Sequence, residues 1–287
     1  MNLAVALRPR EIVEILEGNG MEGLAGRVAV ITGANSGIGR GIAFKLAALG
    51  VKVVLNGRDP AKGQTAVSEL RNAGHDAHFV AGDVRSREDM DRLVSEALDK
   101  YGCIDCMVSS AGAWPSGLNR PEGKFYGPFQ DLDIDDVGAF VGGVTMGKLM
   151  PVRAVAPHMI SRKSGSVVFI TSEGGRFPTP GQTAIAAHAA GLIMATKVIA
   201  KEMAQHKVRV NCIAVSVIDD TSVGEDVNDG TAPRDERAKR YAKVRERAPF
   251  GLAQTSDIAS VAAFLLSDSA GFITGSTVSP TGGLTYS

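Results

Sequence analysis

The chain has 287 residues, long for an average domain but within reach of one large α/β unit. Its 31 basic and 31 acidic residues balance, which excludes an overall field that would draw nucleic acid or an anionic membrane. Three cysteines, an odd number with no secretory signal before them, fit a reducing cytosol and point to a cytoplasmic protein. In chain order, residues 1–22 form an N-terminal extension with a short amphipathic helix after Pro9. Arg27 to Thr32 is a β-branched strand, and Ile38 to Leu49 has helical spacing. The alternation continues with a strand from Lys52 to Leu55, a helix from Ala61 to Asn72 and a strand from His78 to Ala81. A helix from Arg87 to Tyr101 and a strand from Asp105 to Ser109 follow. The second half gives helices over 134–160 and 181–205 and strands over 166–171 and 208–214. A helix over 256–266 and a last strand near Thr277 close the chain.

Apolar runs without alternation indicate strands covered on both faces, and strand–helix–strand rhythm indicates right-handed parallel crossovers. The expected fold is a Rossmann-type, doubly wound parallel sheet of about seven strands with helices on both faces, a single domain over 23–287. A loop at about 113–130 carries Trp114, Phe125, Tyr126 and Phe129, and a polar segment at about 219–247 resembles a lid. The longest apolar stretches fall short of the roughly 18 residues a membrane span needs. Cys103 and Cys106 have the spacing of half a zinc or redox motif, but no second pair completes a metal site, so no metal is expected. They read as small hydrophobes entering a buried strand.

Between the first strand and first helix lies Thr32-Gly33-Ala34-Asn35-Ser36-Gly37-Ile38-Gly39. Glycines there let the backbone turn sharply and let phosphates approach, while the helix N-terminus offers free N–H groups to an anion. The turn is therefore a dinucleotide pyrophosphate site with Gly33, Asn35, Ser36, Gly37, Ile38 and Gly39 as its residues. At the end of the second strand, where an acidic residue would hold the ribose hydroxyls of NAD, stand Gly57 and Arg58. A guanidinium there suits a 2′-phosphate, so NADP(H) is expected in preference to NAD(H).

These segments occur in a set order with Gly82-Asp83-Val84, Ser110-Ala111-Gly112, Ile170-Thr171-Ser172, Val210-Asn211, Phe272-Ile273-Thr274-Gly275 and Gly282-Gly283. Together they resemble the short-chain dehydrogenase/reductase family from about Gly23 to the C-terminus. The resemblance implies that Asp83 and Val84 contact adenine and that Ser110, Ala111 and Gly112 line the ribose. It places Ile218 beside the nicotinamide carboxamide, and it implies a homodimer or homotetramer built on the helices at 134–160 and 181–205. It also implies hydride transfer between a nicotinamide and a carbonyl or alcohol carbon, with a tyrosine, a lysine, a serine and an asparagine handling the proton.

Ser172 matches that serine, but Ile185, Ala189 and Val144 stand at the positions of the tyrosine, lysine and asparagine. Hydride transfer strands charge on oxygen unless a proton moves with it. His188 and Glu173 are the remaining candidates to carry that proton, and helix geometry turns His188 about 60° from the Ile185 direction. Asp220, two residues after Ile218, puts an anion where it would sit badly beside the pyrophosphate. The favoured expectation is an NADP(H)-dependent oxidoreductase acting on a small hydrophobic substrate by a non-standard proton route, with Ser172 and His188 as catalytic candidates. A non-redox isomerase or lyase on the same scaffold, or a non-catalytic subunit partnering an active relative, are the alternatives.

Overall fold

A computed structural model describes residues 21–112, 125–221 and 243–286. The N-terminal helix expected before residue 21, most of the aromatic loop and most of the lid segment lie outside these residues. Seven parallel strands form one sheet: β1 Val28–Thr32, β2 Lys52–Gly57, β3 Ala77–Ala81, β4 Cys106–Ser109, β5 Gly165–Ser172, β6 Val208–Val215 and β7 Thr277–Val278. Their spatial order is β3-β2-β1-β4-β5-β6-β7. The sheet is flanked, among the described residues, by α1 Gly37–Ala48, α2 Pro60–Asn72, α3 Arg87–Tyr101, α4 Ile134–Arg162, α5 Thr183–Ala204 and α6 Thr255–Leu266.

All five residues of β1 are buried, and they alternate between two cores. Ala29 and Ile31 join Ile42, Leu46, Val67 and Ile258 on the face covered by α1, α2 and α6. Val28 and Val30 join Met90, Leu93, Val155, Leu192 and Phe169 on the face covered by α3, α4 and α5. This two-sided burial explains why the strands read as unbroken apolar runs. Strand order reverses between β1 and β4, both of which pair with neighbours in parallel. A ligand crevice belongs at that point, outside the carboxyl ends of the strands.

Side chains tie the sheet's edges and loops. The Asp105 carboxylate accepts from Val28 N at 2.9 Å and from the Arg162 guanidinium at 2.9 Å, fixing the approach to β4. Asn211 ties β6 to the segment leading into β7, donating to Ile273 O at 2.9 Å and accepting from Ser276 N at 3.0 Å. The Val210-Asn211 and Phe272–Gly275 motifs are thus one structural clasp. Cys106 is fully buried, with its thiol pushed up to about 12 by burial, so it packs as a hydrophobe; no metal cluster forms among the described residues.

One expectation needs correction. Helix α5 has 22 residues and contains a window with mean hydropathy 1.5, so by length and composition it is apolar enough to cross a membrane. Its alanines, with interspersed Ile, Leu, Met and Val, raise the average without forming a long run of large hydrophobes. Here one side of α5 packs on β6 and α4, burying Ala184, Ala189, Leu192 and Met203.

Candidate functional site

The turn after β1 is built on two close approaches. Gly33 has φ +67°, and a Cβ there would meet Ala111 Cα at 2.7 Å, so the phosphate turn and the turn after β4 lie against each other. Thr32 Oγ1 accepts from Ser110 N at 3.2 Å and Ala111 N at 3.4 Å, locking that pairing. Helix α1 then starts at Gly37 with an extended Ser36 at its N-cap and no side chain satisfying its first N–H groups. Those donors remain available to an anion.

Two cavities open side by side along this edge. The smaller, about 350 Å³, is lined by Gly33, Asn35, Ser36, Arg58, Asp83, Val84, Ala111 and Gly112. Eight of the expected cofactor residues therefore converge, and Lys62, one turn into α2, joins them without having been singled out from the sequence. The signal was available: Lys62 lies four residues beyond Arg58. Asp83 is held below the ordinary carboxylate range, chiefly by its hydrogen bonds from the Arg85 guanidinium, with Arg58 adding to the field. Asn35 Oδ1 and Asn56 Oδ1 are buried without a partner among the described residues, and both residues line this cavity. Buried acceptors left without donors are rare, and hydroxyl or amine groups of a nucleoside would satisfy them.

The larger cavity, about 820 Å³, includes Ile38, Gly112, Ile218, Ser172, Ile185 and His188 in its lining. Gly112 borders both spaces, so the polar cradle continues into the larger one. Gly37, Gly39 and Ser110 line neither cavity; they shape the turns. Ser172 and His188, the two catalytic candidates, do share the large cavity. Phe140, Val144 and Ile185 give it an apolar wall, backed by Phe125, whose ring stacks on Phe140 at 4.6 Å. That much of the aromatic loop sits behind the wall, and Tyr126 Oη accepts from Gln182 Nε2 at 3.0 Å; Phe129 is exposed.

The acid–base groups differ from expectation. Ser172 Oγ accepts from Gly174 N at 3.1 Å, which leaves its O–H to donate into the cavity. His188 is buried, its Nδ1 hydrogen-bonded with Thr145 Oγ1 at 3.1 Å. Burial, reinforced by Lys148, lowers its pKa to about 4, so it is neutral at neutral pH and lacks the imidazolium proton that a histidine acid would give. The 60° offset of His188 from Ile185 still leaves both on one cavity wall. Glu173 accepts from Thr285 Oγ1 at 2.9 Å at the cavity's edge.

Sequence reading missed two residues here. Lys148, four residues beyond Val144 on α4, is buried and lines the same cavity. Thr171, also in the lining, has its Oγ1 buried without a partner among the described residues. A lone lysine at i+8 from Phe140 and i+4 from Val144, inside an apolar helix, was the signal for the first.

Asp220 requires a correction. Its carboxylate accepts from Thr255 N and Thr255 Oγ1, both at 2.7 Å, and so satisfies the N-terminus of α6. The neighbouring Thr221 is the residue that faces the phosphate turn, its methyl 3.6 Å from where a Cβ on Gly37 would lie. The anion is spent on a helix dipole rather than left beside the pyrophosphate site.

A family model described as short chain dehydrogenase matches residues 27–232. The chain belongs to that family. It is 32% identical over 266 residues to a 3-oxoacyl-[acyl-carrier-protein] reductase of Synechocystis sp., covering 92% of this chain and 99% of the relative. It is 31% identical to the 3-oxoacyl-[acyl-carrier-protein] reductase FabG of Staphylococcus aureus, covering 89% and 97%. Among solved structures it resembles a 7α-hydroxysteroid dehydrogenase complexed with NADH and 7-oxo glycochenodeoxycholic acid, with TM-score 0.78, 26% identity and coverage of 92% and 95%. Levodione reductase is similar, with TM-score 0.79, 26% identity and coverage of 90% and 97%. Short-chain dehydrogenases are nicotinamide-dependent oxidoreductases, and the described residues of this chain share the architecture of those solved structures.

Proposed function

We propose that this chain is an NADP(H)-dependent oxidoreductase for a hydrophobic carbonyl or alcohol, moving the proton by a route other than the family's tyrosine and lysine. The observation that carries this reading is the continuity at Gly112 between the cradle holding Arg58 and Lys62 and the apolar cavity headed by Ser172. Arg58 and Lys62 offer two exposed cations to a 2′-phosphate, and no acidic residue follows β2 until Asp59, whose Oδ1 caps α2 by accepting from Lys62 N at 3.1 Å. Gly33, Asn35, Ser36 and the first N–H groups of α1 would hold the pyrophosphate, Asp83 and Val84 the adenine, and Ile218 the carboxamide side. A bound nicotinamide supplies or accepts hydride.

The chain's own residues do the rest. Ser172 O–H orients a carbonyl oxygen, Phe140, Val144 and Ile185 exclude water from the reacting carbon, and Ile185 offers no proton where the family's tyrosine would. The named relatives reduce 3-oxoacyl groups, which accords with a carbonyl substrate. We also propose a homo-oligomer joined through α4 and α5, whose Met146, Met194 and Val198 are about half exposed.

The test is a fluorescence titration of purified protein with NADPH and NADH, followed by transfer of deuterium from nicotinamide C4 to hydrophobic ketones. Saturable binding favouring NADPH, with label in the product alcohol, is the expected result. Turnover of substrate without any nicotinamide change would establish the isomerase or lyase reading instead.

A further inference from the structure

We propose that Lys148 is the catalytic acid and base of the large cavity, the group that gives a proton to the substrate oxygen in reduction and removes it in oxidation. This rests on the oxidoreductase reading above. Phe140, Val144 and Lys148 follow one another at four-residue intervals on α4, and all three line the cavity. Lys148 is only 4% exposed, and among the described residues its Nζ makes one long hydrogen bond, to Ser109 O at 3.5 Å. No Asp or Glu acts on it among the described residues. A buried ammonium without a counter-ion is costly, and methionine or leucine would fill the space at less expense, so packing gives no reason for this residue.

The groups facing Lys148 are His188 from α5 and Cys212 from β6, with the Ser109 carbonyl of β4. Neither His188 nor Cys212 is charged at neutral pH: burial lowers the imidazole to about 4 and raises the thiol to about 12. Burial likewise lowers the Lys148 ammonium to about 7, where an acid–base group works best. Thr171, whose Oγ1 is buried and unpartnered among the described residues, and Ser172 line the same space and can hold the substrate oxygen towards that nitrogen.

In the reducing direction, hydride from a reduced nicotinamide reaches the carbonyl carbon and the C=O π pair moves onto oxygen. That oxygen takes a proton from the Lys148 ammonium, whose N–H pair stays on nitrogen; the neutral amine regains a proton from water. Oxidation runs the same transfers backwards. A nucleophilic role is disfavoured, because an imine formed between Lys148 and a ketone would itself be reduced to a dead-end secondary amine.

Two measurements test this. The first is competitive acetylation of the nucleotide-free protein with acetic anhydride from about pH 5 to 10, reading the Lys148 peptide by mass spectrometry against exposed Lys100. A reactivity midpoint within about one unit of 7 supports the assignment. A midpoint near 10, or no acetylation at any pH, overturns it, since an amine that small reagents cannot reach cannot touch substrate. The second compares wild type with K148M and K148R. K148M is expected to bind NADPH normally and to lose about 10²–10⁴-fold in hydride transfer, together with the neutral limb of the pH profile. K148R keeps charge but cannot release a proton, and is expected to be no better than K148M. Wild-type hydride transfer in K148M, or recovery of a ketone–Lys148 adduct after borohydride, overturns the acid–base role. Failure of the wild type to bind either nucleotide overturns the oxidoreductase reading itself.

Discussion

The amide of Asn35 occupies the space in front of Gly57: a Cβ on Gly57 would lie 2.3 Å from Asn35 Oδ1 and 2.4 Å from Asn35 Nδ2. Asn35 is fastened there by its hydrogen bond to Asp59 O at 2.9 Å. The end of β2, where an acidic residue would read the ribose hydroxyls, is thus occupied by a side chain of the phosphate turn, which any residue larger than glycine would have to move.

Gly57→Asp is therefore expected to displace Asn35 and weaken both nucleotides, rather than exchange NADPH for NADH. Arg58→Ala is expected to weaken NADPH by on the order of tenfold and leave NADH nearly unchanged; an exposed charge-assisted hydrogen bond belongs at the lower end of its usual range. Fluorescence titration of the two variants checks both. Equal losses for NADPH and NADH in Arg58→Ala would remove the basis for the NADP preference.

His188 makes stability fall in mild acid. Its folded pKa, about 4, lies below the ordinary value of 6.5, so the unfolded chain takes up the proton first as pH falls. Stability is lost through the window from about 6.5 to 4, by on the order of 3 kcal/mol at its lower end. His188→Leu should flatten the thermal midpoint across that window; an unchanged slope would show that the ring is more solvated than its contacts indicate.

Lys148 acts in the opposite half of the scale. Its folded pKa, about 7, lies below 10.5, so the unfolded chain binds more protons between these values and stability rises with pH from about 7. Lys148→Met should raise the melting temperature at pH 7 and lessen its climb between about pH 7 and 9. Calorimetry at matched ionic strength reads this directly.

Asp220→Ala removes acceptors from the first N–H and hydroxyl of α6. A loss of about 1 kcal/mol is expected, measured by urea unfolding. If nucleotide affinity also rose sharply, Asp220 would have to face the phosphates after all.

Phe125→Ala should cost about 3 kcal/mol, because the ring is buried and stacked on Phe140. The cavity wall at Phe140 and Val144 would loosen with it, so hydride transfer should fall while NADPH binding holds. Val198→Arg, on the exposed side of α5, should instead shift the oligomer towards monomer in light scattering without changing the fold.

The strands, the helices and the phosphate turn were legible because each depends on local order. β1 is apolar on both faces, Ser86 caps α3 through Asp89 N, and Gly102 closes that helix in the left-handed region, all within a few residues. The resemblance extended this to the order of the motifs, and the two-sided sheet followed from the unbroken apolar runs. The expectation that Ile185 and Ala189 take the positions of a tyrosine and a lysine rests on the resemblance and its spacing alone. What it could not decide was direction and burial through space. Asp220 turns to α6 because Thr255 presents two donors from 35 residues away. Lys148 becomes a desolvated amine only when α4, α5 and β4 close around it, and His188 is held neutral chiefly by its own burial there, with Lys148 adding to the effect. Periodicity fixes which face of a helix is buried; the chemistry of a group on that face is set by neighbours that the chain brings together only on folding.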